Sequence, residues 1–406
     1  MDEFTIDDIL EEYGHYYEKN NQSTQRMIMG FMEGPETTKF ATHIDTKKDT
    51  IYKLVNPLFE SVLQSFQLGF TPKGKASFLP NPIHLNHMKV DYAFYPQVIE
   101  DSWMAFLKGD SSRNIEDWPI VRYMLEVYLV QKAIEDKELH EVYKGVFAEP
   151  TEGVASALGT NMDGILKRLK IGAVDFEKPI NIIDGIGELN KDTIFDQIEM
   201  YDEAISDKYT GQKLIHFVSP EFKRAFLKDK RSKGYLFIDS IDKLTPDIDF
   251  TEHVIVGVPS MRGTKHIFTT IKENFLHLTN GKEVSPNDVD IQKYNRQIKF
   301  LVDWWEAVGF GYNCMVWTTR ETVADVNPIA ITAVDAKLTT SPAVTLQATP
   351  AGCVFSGVGV TLVEGTYKFT PSVAGAGTHT IKATLEMAND NKWEKTIQIV
   401  VTVPEG

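Results

Sequence analysis

Few residues in this chain are spaced for chemistry, and each such group has a plainer reading beside it. His84 and His87 stand three apart with Asp91 nearby, a donor set that suits a transition metal. The segment is proline-rich and extended, so this spacing does not bring both imidazoles onto one helical face, and no metal site is expected. Ser285, Asn287, Asp288 and Asp290 look like a fragment of a calcium loop. They lack the glycine and distal glutamate of an EF-hand, which leaves a solvated turn. Arg262-Gly263-Thr264-Lys265 could meet a phosphate, but without phosphate-loop spacing or a following helix it reads as a hairpin turn. Trp304, Trp305 and Trp317 could stack on bases; in a long strand such rings serve a core or an interface instead. No nucleophile elbow, HExxH or nucleotide fingerprint occurs. The expectation is a protein that is not an enzyme, with no cofactor and no metal.

The elements that carry these residues are more telling. From Tyr294 the alternate positions Arg296, Ile298, Phe300, Val302 and Trp304 form one face. Asn295, Gln297, Lys299, Leu301, Asp303 and Trp305 form the other. That period of two outruns an ordinary strand of about five or six residues. Aromatics on both faces require cover on both sides, and neighbouring subunits must supply what the chain does not. Residues 65–95 hold Gly69, Pro72, Gly74, Pro80 and Pro82, which forbid a helix, while Phe66, Leu68, Phe70, Phe78 and Leu79 still need burial. An irregular two-stranded arm with its tip near Lys73–Ala76 is predicted. At ten residues a side it would reach roughly 33 Å, beyond the shelter of its own domain. Phe66, Leu68, Phe70, Phe78, Leu79, Trp304 and Trp305 are therefore the candidate inter-subunit contacts. Lys73 and Lys75 solvate the turn.

Composition sets the limits. A length of 406 residues exceeds one ordinary core, so two or three domains are expected. A net charge of −15 argues against a dedicated nucleic-acid binder. Much of that charge lies in Asp2, Glu3, Asp7, Asp8, Glu11, Glu12 and Glu18, ahead of Lys19. Cys314 and Cys353 fall in different predicted domains, so neither a disulfide framework nor a cysteine zinc site is expected, in keeping with a reducing compartment. No charged-then-apolar leader and no membrane-length apolar stretch is evident, and a soluble protein made in the cytoplasm is expected.

Residues 1–50 read as an arm that orders only on a partner, with a short helix at Thr5–Tyr17. A long helix is predicted over 118–144, capped by Asp117, with Pro119 in its first turn and Gly145 as its stop. Ile120, Met124, Val127 and Ile134, flanked by Val121, Leu125 and Tyr128, give it a broad apolar face. A short helix is predicted at Met162–Lys170. A mixed unit follows: strand INII near Ile180, a helix from Thr193 to about Lys208, strand KLIHFV, a helix Glu221–Lys230 capped by Ser219-Pro220, and strands YLFI and VIVGV. From Pro328 the chain becomes Thr-, Val-, Ala- and Gly-rich, with a hairpin around Ala388-Asn389-Asp390-Asn391. That stretch reads as a small sandwich joined by one linker near Asn327-Pro328.

The order of these parts resembles the major capsid proteins of tailed bacteriophages with the Hong Kong 97-like fold. The resemblance rests on VIVGVPSMRGTKHIFTTIKENF, the long strand ending in WWEAVGFGYN, and the helix at 118–144, which matches the spine helix. EDSWMAFLKG is similar to a run in capsid subunits of crAss-like phages. The resemblance implies an α+β fold with an N-terminal arm at 1–50, an extended loop region at 51–97, a peripheral domain at 98–178 and 286–327, and an axial domain at 179–285. An all-β immunoglobulin-like sandwich would follow at 328–406. It implies a homo-oligomer of hexamers and pentamers forming an icosahedral shell around double-stranded DNA, without sequence-specific binding and without a membrane. Portal, scaffold and decoration proteins would be its partners. It also makes Lys73 and Lys75 candidates for lysine–asparagine cross-links, a reaction that needs a desolvated amine. The acidic N-terminal residues would then line an inner wall that repels packed DNA. The alternatives are a phage tail or baseplate subunit, or a surface adhesin or carbohydrate-binding protein.

Overall fold

A computed structural model describes residues 35–46, 50–59, 61–111, 113, 115, 118, 120–233, 246–280, 289–387 and 391–404. The predicted helix at Thr5–Tyr17, the acidic run, Asp117, Pro119, the YLFI strand, and Ser285, Asn287 and Asp288 lie outside the described residues. Two compact units are present: residues 1–168 with 188–316, and residues 169–187 with 317–406.

In chain order the strands begin with β1 (Thr42–Asp45), β2 (Ile51–Tyr52), β3 (Val55–Phe59), β4 (Ala76–Pro80), β5 (Ile83–His84) and β6 (Asn86–Phe94). Next come β7 (Asn181–Ile183), β8 (Ile215–Val218), β9 (Val254–Gly257), β10 (Phe268–Thr270), β11 (Phe275–Thr279) and β12 (Val289–Tyr294). β13 (Gln297–Phe310) and β14 (Val316–Thr319) close this part of the chain.

β13 organises the first unit. Its 14 residues span roughly 46 Å. β6 runs antiparallel along one edge, from Phe94 opposite Ile298 to Asn86 opposite Glu306. β12 and then β11 pair antiparallel along the other edge, and β1 adds parallel to β11. The strand starts at Gln297 because Asn295 and Arg296 adopt φ of 48° and 62°, the two-residue turn that joins β12 to β13. Arg296 is thus a turn residue and not part of the inward face. Ile298, Phe300, Val302, Trp304 and Glu306 point inward and are buried. On the opposite face Gln297, Lys299, Asp303 and Trp305 are only partly covered, and Leu301 is exposed. Past Ala307 both faces are buried, so the chain itself fully covers the far end of the strand alone.

The predicted long helix is continuous over 120–141, preceded by a helix at Pro96–Lys108 that the sequence reading did not anticipate. Twice the long helix widens to π-type bonding, with Val130 N–H donating to the Leu125 carbonyl and Val142 N–H to the Lys137 carbonyl. Each widening shifts the phase of the following residues around the axis. The buried side accordingly changes from apolar (Ile120, Val121, Met124, Leu125) to charged (Lys137, Glu138, Glu141).

β10, β8 and β9 form a sheet covered by helices Ile194–Glu203 and Pro220–Ser232. The predicted stripe Ile194, Phe195, Ile198, Tyr201 and Ile205 is buried. Ser219 stands at the N-cap position, yet its hydroxyl makes no capping bond.

In the second unit β7 and β14 are parallel. Beyond them lie β15 (Ala330–Ile331), β16 (Lys337–Leu338), β17 (Val344–Thr345), β18 (Ala348–Thr349) and β19 (Val354–Ser356). β20 (Val360–Val363), β21 (Thr366–Phe369), β22 (Gly377–Glu386) and β23 (Lys392–Thr402) complete the chain. One sheet has the order β16-β23-β22-β19 and another β17-β21-β20. Phe355 meets Tyr367, and Phe369 meets His379, between them. The β22–β23 ladder is the predicted hairpin, although residues 388–390 of its turn lie outside the described residues. Its attachment is not a single linker. Asn391 donates to the Ile180 carbonyl at 2.7 Å and accepts from Ile182 N–H at 3.0 Å, and Asn327 donates to the Glu394 carbonyl at 2.7 Å. Arg320 grips Asp184 through Nε and Nη2, donates to the Lys392 carbonyl, and lies 4.4 Å over the Trp393 ring.

Candidate functional site: an outward apolar loop on a charged scaffold

β3 and β4 pair over five residues each, Val55 opposite Pro80 and Phe59 opposite Ala76. The arm is therefore shorter as a ladder than predicted, and its tip is the broad segment 61–75 rather than Lys73–Ala76. Gly69, Pro72 and Gly74 deny this segment a regular ladder. Three exposed hydrogen bonds cross it: Gln64 Nε2 donates to the Thr71 carbonyl, Gln67 Nε2 to Thr71 Oγ1, and Lys73 Nζ to the Leu63 carbonyl, each at 2.6 Å. The apolar side chains face solvent, with Leu63 86%, Phe66 91%, Leu68 98% and Phe70 95% exposed. Burying each of those side chains is worth about 1.5–3 kcal/mol, and the single chain leaves all of it unrealised.

The other candidates divide. Phe78 is largely exposed and Leu79 half-buried on β4. Trp304 belongs to the chain's own core and donates its indole N–H to Glu306 at 2.8 Å. Trp305 is half-buried, its ring stacked on His87 at 4.5 Å. Lys73 and Lys75 are both exposed. His84, His87 and Asp91 do not converge: His84 pairs with Ile51 in β5, His87 bonds Asp303 at 2.7 Å, and Asp91 accepts from Lys89 at 2.6 Å.

The loop is rooted in rigid structure. Asn81 N–H donates to the Leu54 carbonyl, and its Nδ2 reaches the carbonyls of Phe310 and Gly311 at 3.3 Å. Gly309 lies directly beneath it, where a Cβ would come within 2.9 Å of the Ile83 Cδ1 methyl and make that side chain shift. Ile83, Leu85, Leu276, Leu278 and Ala307 form the core under this root.

Three charged residues on the last turns of the long helix fix the rest, and the sequence reading missed all three. Lys137 Nζ bonds both Glu306 oxygens at 2.9 Å. Glu306 also accepts from His277 Nε2 at 2.7 Å. Burial by itself raises the Glu306 carboxyl, but the Lys137 charge and the His277 bond outweigh it and hold the group at about 2. Burial lowers Lys137 despite the pull of Glu306. Glu138 accepts from Thr37 N–H, from the Thr37 hydroxyl and from Ser260 N–H, so the chain leaving residues 1–34 is tied to the helix. Burial raises the Glu138 carboxyl even with these bonds. Glu141 accepts from the backbone N–H groups of Gly159, Asn161 and Met162 and from Asn161 Nδ2. Gly164 lets this loop approach, since a Cβ there would meet the Glu141 carbonyl at 2.5 Å. The only sequence signal was the phase: read with two extra residues of winding, the apolar face of the helix passes into Lys137, Glu138 and Glu141.

Comparison with protein-family models finds no match, and comparison with curated proteins finds none. Among solved structures the chain is similar to one in the satellite phage P4 procapsid including the size determination (Sid) protein. The identity is 11% over 73% of this chain and 98% of that one, with a TM-score of 0.46. It is similar to the capsid of an empty GTA particle at 10% identity, over 69% of this chain and 94% of that one, with a TM-score of 0.42. The capsid of Myoviridae phage XM1 shares 10% identity over 70% of this chain and 90% of that one, with a TM-score of 0.40.

Proposed function

We propose that this chain is a structural subunit that assembles with copies of itself into an icosahedral shell of hexamers and pentamers enclosing double-stranded DNA. The reading is a tailed-phage major capsid protein of Hong Kong 97-like fold, crAss-like in its local sequence. The observation that carries it is the loop at 61–75, in which Leu63, Phe66, Leu68 and Phe70 stand almost fully in water. Such a surface suits an obligate interface, which buries about 2,000–5,000 Å². Scaffold, portal and decoration proteins are the expected partners, and assembly takes place in the host bacterial cytoplasm.

Within this reading the two C-terminal sheets form an immunoglobulin-like domain that projects from the shell and binds host-surface glycans. Its Thr-rich strands support that assignment.

Sedimentation and negative-stain microscopy of the purified full chain test the proposal. Shells or capsomers are expected. Tubes would favour a tail or baseplate subunit, and a monodisperse single chain would favour an adhesin or carbohydrate-binding protein.

A further inference from the structure

Apart from assembly, the fold gathers Asp202, His216 and His253, residues that no motif links. Asp202 lies on the helix Ile194–Glu203, His216 on β8, and His253 immediately before β9. All three are buried, at 7%, 0% and 2% exposure. One ligand atom from each lies within 4.8 Å of the others. His253 Nδ1 is 2.5 Å and His216 Nε2 2.9 Å from the same atom, Asp202 Oδ1.

The outer nitrogens are also engaged. His253 Nε2 faces the Tyr209 carbonyl at 3.1 Å, and His216 Nδ1 faces Thr269 Oγ1 at 2.5 Å. Tyr201 donates to the same Thr269 oxygen at 3.0 Å. A carbonyl only accepts, so His253 carries a proton on Nε2. Thr269 can accept from His216 Nδ1–H, which frees the Nε2 lone pair. Two inner nitrogens then converge on a carboxylate oxygen, and something positive must lie between them: protons or a metal ion. Imidazoles anchored at the outer nitrogen, with inner nitrogens and a carboxylate converging, form the arrangement that orients metal ligands.

The geometry points to a divalent transition-metal site at Asp202, His216 and His253, of the two-imidazole, one-carboxylate type that suits zinc. The three protein ligands leave one tetrahedral position for water or for the second Asp202 oxygen. Metal–ligand bonds of about 2.0–2.2 Å need ligand atoms roughly 3.3 Å apart. From 2.5 and 2.9 Å, each ring nitrogen needs to draw back from Asp202 Oδ1 by less than about 1 Å to admit the ion. Bound there, the ion would clamp one helix and two strand ends of a single sheet layer, a role independent of whether the chain builds shells.

The test uses the full chain, stripped with a chelator and titrated with Co²⁺ and Zn²⁺. One equivalent is expected, with the intense visible ligand-field bands of a four-coordinate Co²⁺ centre and a raised melting temperature. His253→Ala and Asp202→Asn, each checked by circular dichroism for a retained fold, should lose that equivalent. His87→Ala, which removes an exposed histidine, should retain it. Thr269→Val should weaken binding about 10–100-fold. Should the buried variants fail to fold, the Co²⁺ spectrum of the unaltered chain decides. Absence of four-coordinate bands, or an equivalent that survives in folded His253→Ala, overturns the assignment and leaves a proton-bridged network.

Discussion

The Lys137 ammonium lies 2.9 Å from each oxygen of the Glu306 carboxylate, and both side chains are shut away from water. One sits on the long helix and the other on the longest strand, so this pair fixes the depth at which the two pack. A buried ion pair contributes little net stability, because desolvation offsets the attraction. Its value here is registry. A helix that slid by one turn along β13 would leave both charges unpaired in the core.

Breaking the pair on one side should therefore be costly and replacing both sides cheap. Lys137→Met is expected to destabilise the chain by about 3–5 kcal/mol, and Lys137→Met with Glu306→Gln, which keeps an uncharged acceptor for His277 and Trp304, by less. Urea unfolding of both variants checks this. With the single Glu306→Gln variant measured alongside, a double loss equal to the sum of the two single losses would mean that the pair has no coupling.

The same carboxylate sets an acid limit. Glu306 is held at about 2 against an ordinary 4.5. A depressed carboxyl contributes stability that is complete above its unfolded value and lost as pH falls toward the folded one. The loss should thus fall between about pH 4.5 and 2. The raised Glu138 carboxyl opposes part of it, because a group that binds its proton more tightly when folded favours the folded state as pH falls. The measurement is chemical unfolding across that window, where Glu306→Gln should flatten the slope.

Glu141 holds the 159–162 loop through three backbone amides. In Glu141→Ala each amide left dry costs about 1–3 kcal/mol. Hydrogen exchange should show the protection of Gly159, Asn161 and Met162 lost first, while that of β13 persists. Uniform loss would show that the loop and the sheet open together.

Substitutions in the outward loop should behave in the opposite way. Phe66→Ser, Leu68→Ser and Phe70→Ser together touch nothing buried in the single chain, so its stability should change by no more than about 0.5 kcal/mol per site. Particle yield in sedimentation should nevertheless collapse. Normal particles from this variant would sink the proposed interface.

Arg320 fastens the C-terminal hairpin through Asp184, the Lys392 carbonyl and the Trp393 ring. Arg320→Ala is expected to destabilise the second unit by about 1–3 kcal/mol. Trp393 fluorescence should shift red as the ring gains water. An unchanged spectrum would mean that Arg320 only decorates it.

Much of this was legible in the residues alone. The alternation from Ile298 to Trp304 required a strand, because one buried face needs a period of two. Gly69, Pro72 and Gly74 forbade regular structure in the loop, and its phenylalanines and leucines announced an apolar surface. Gly145 marked the helix end, and its N–H does bond the Glu141 carbonyl. Local chemistry determines such features, so no distant contact was needed to read them. What the sequence could not decide was which charged residues would be buried. Lys137, Glu138 and Glu141 look like a solvated helix end until β13, Thr37 and the 159–162 loop supply their partners from 18 to 169 residues away. Asp202, His216 and His253 meet for the same reason. A desolvated charge is tolerated only where a partner waits, and only the folded chain determines where that is.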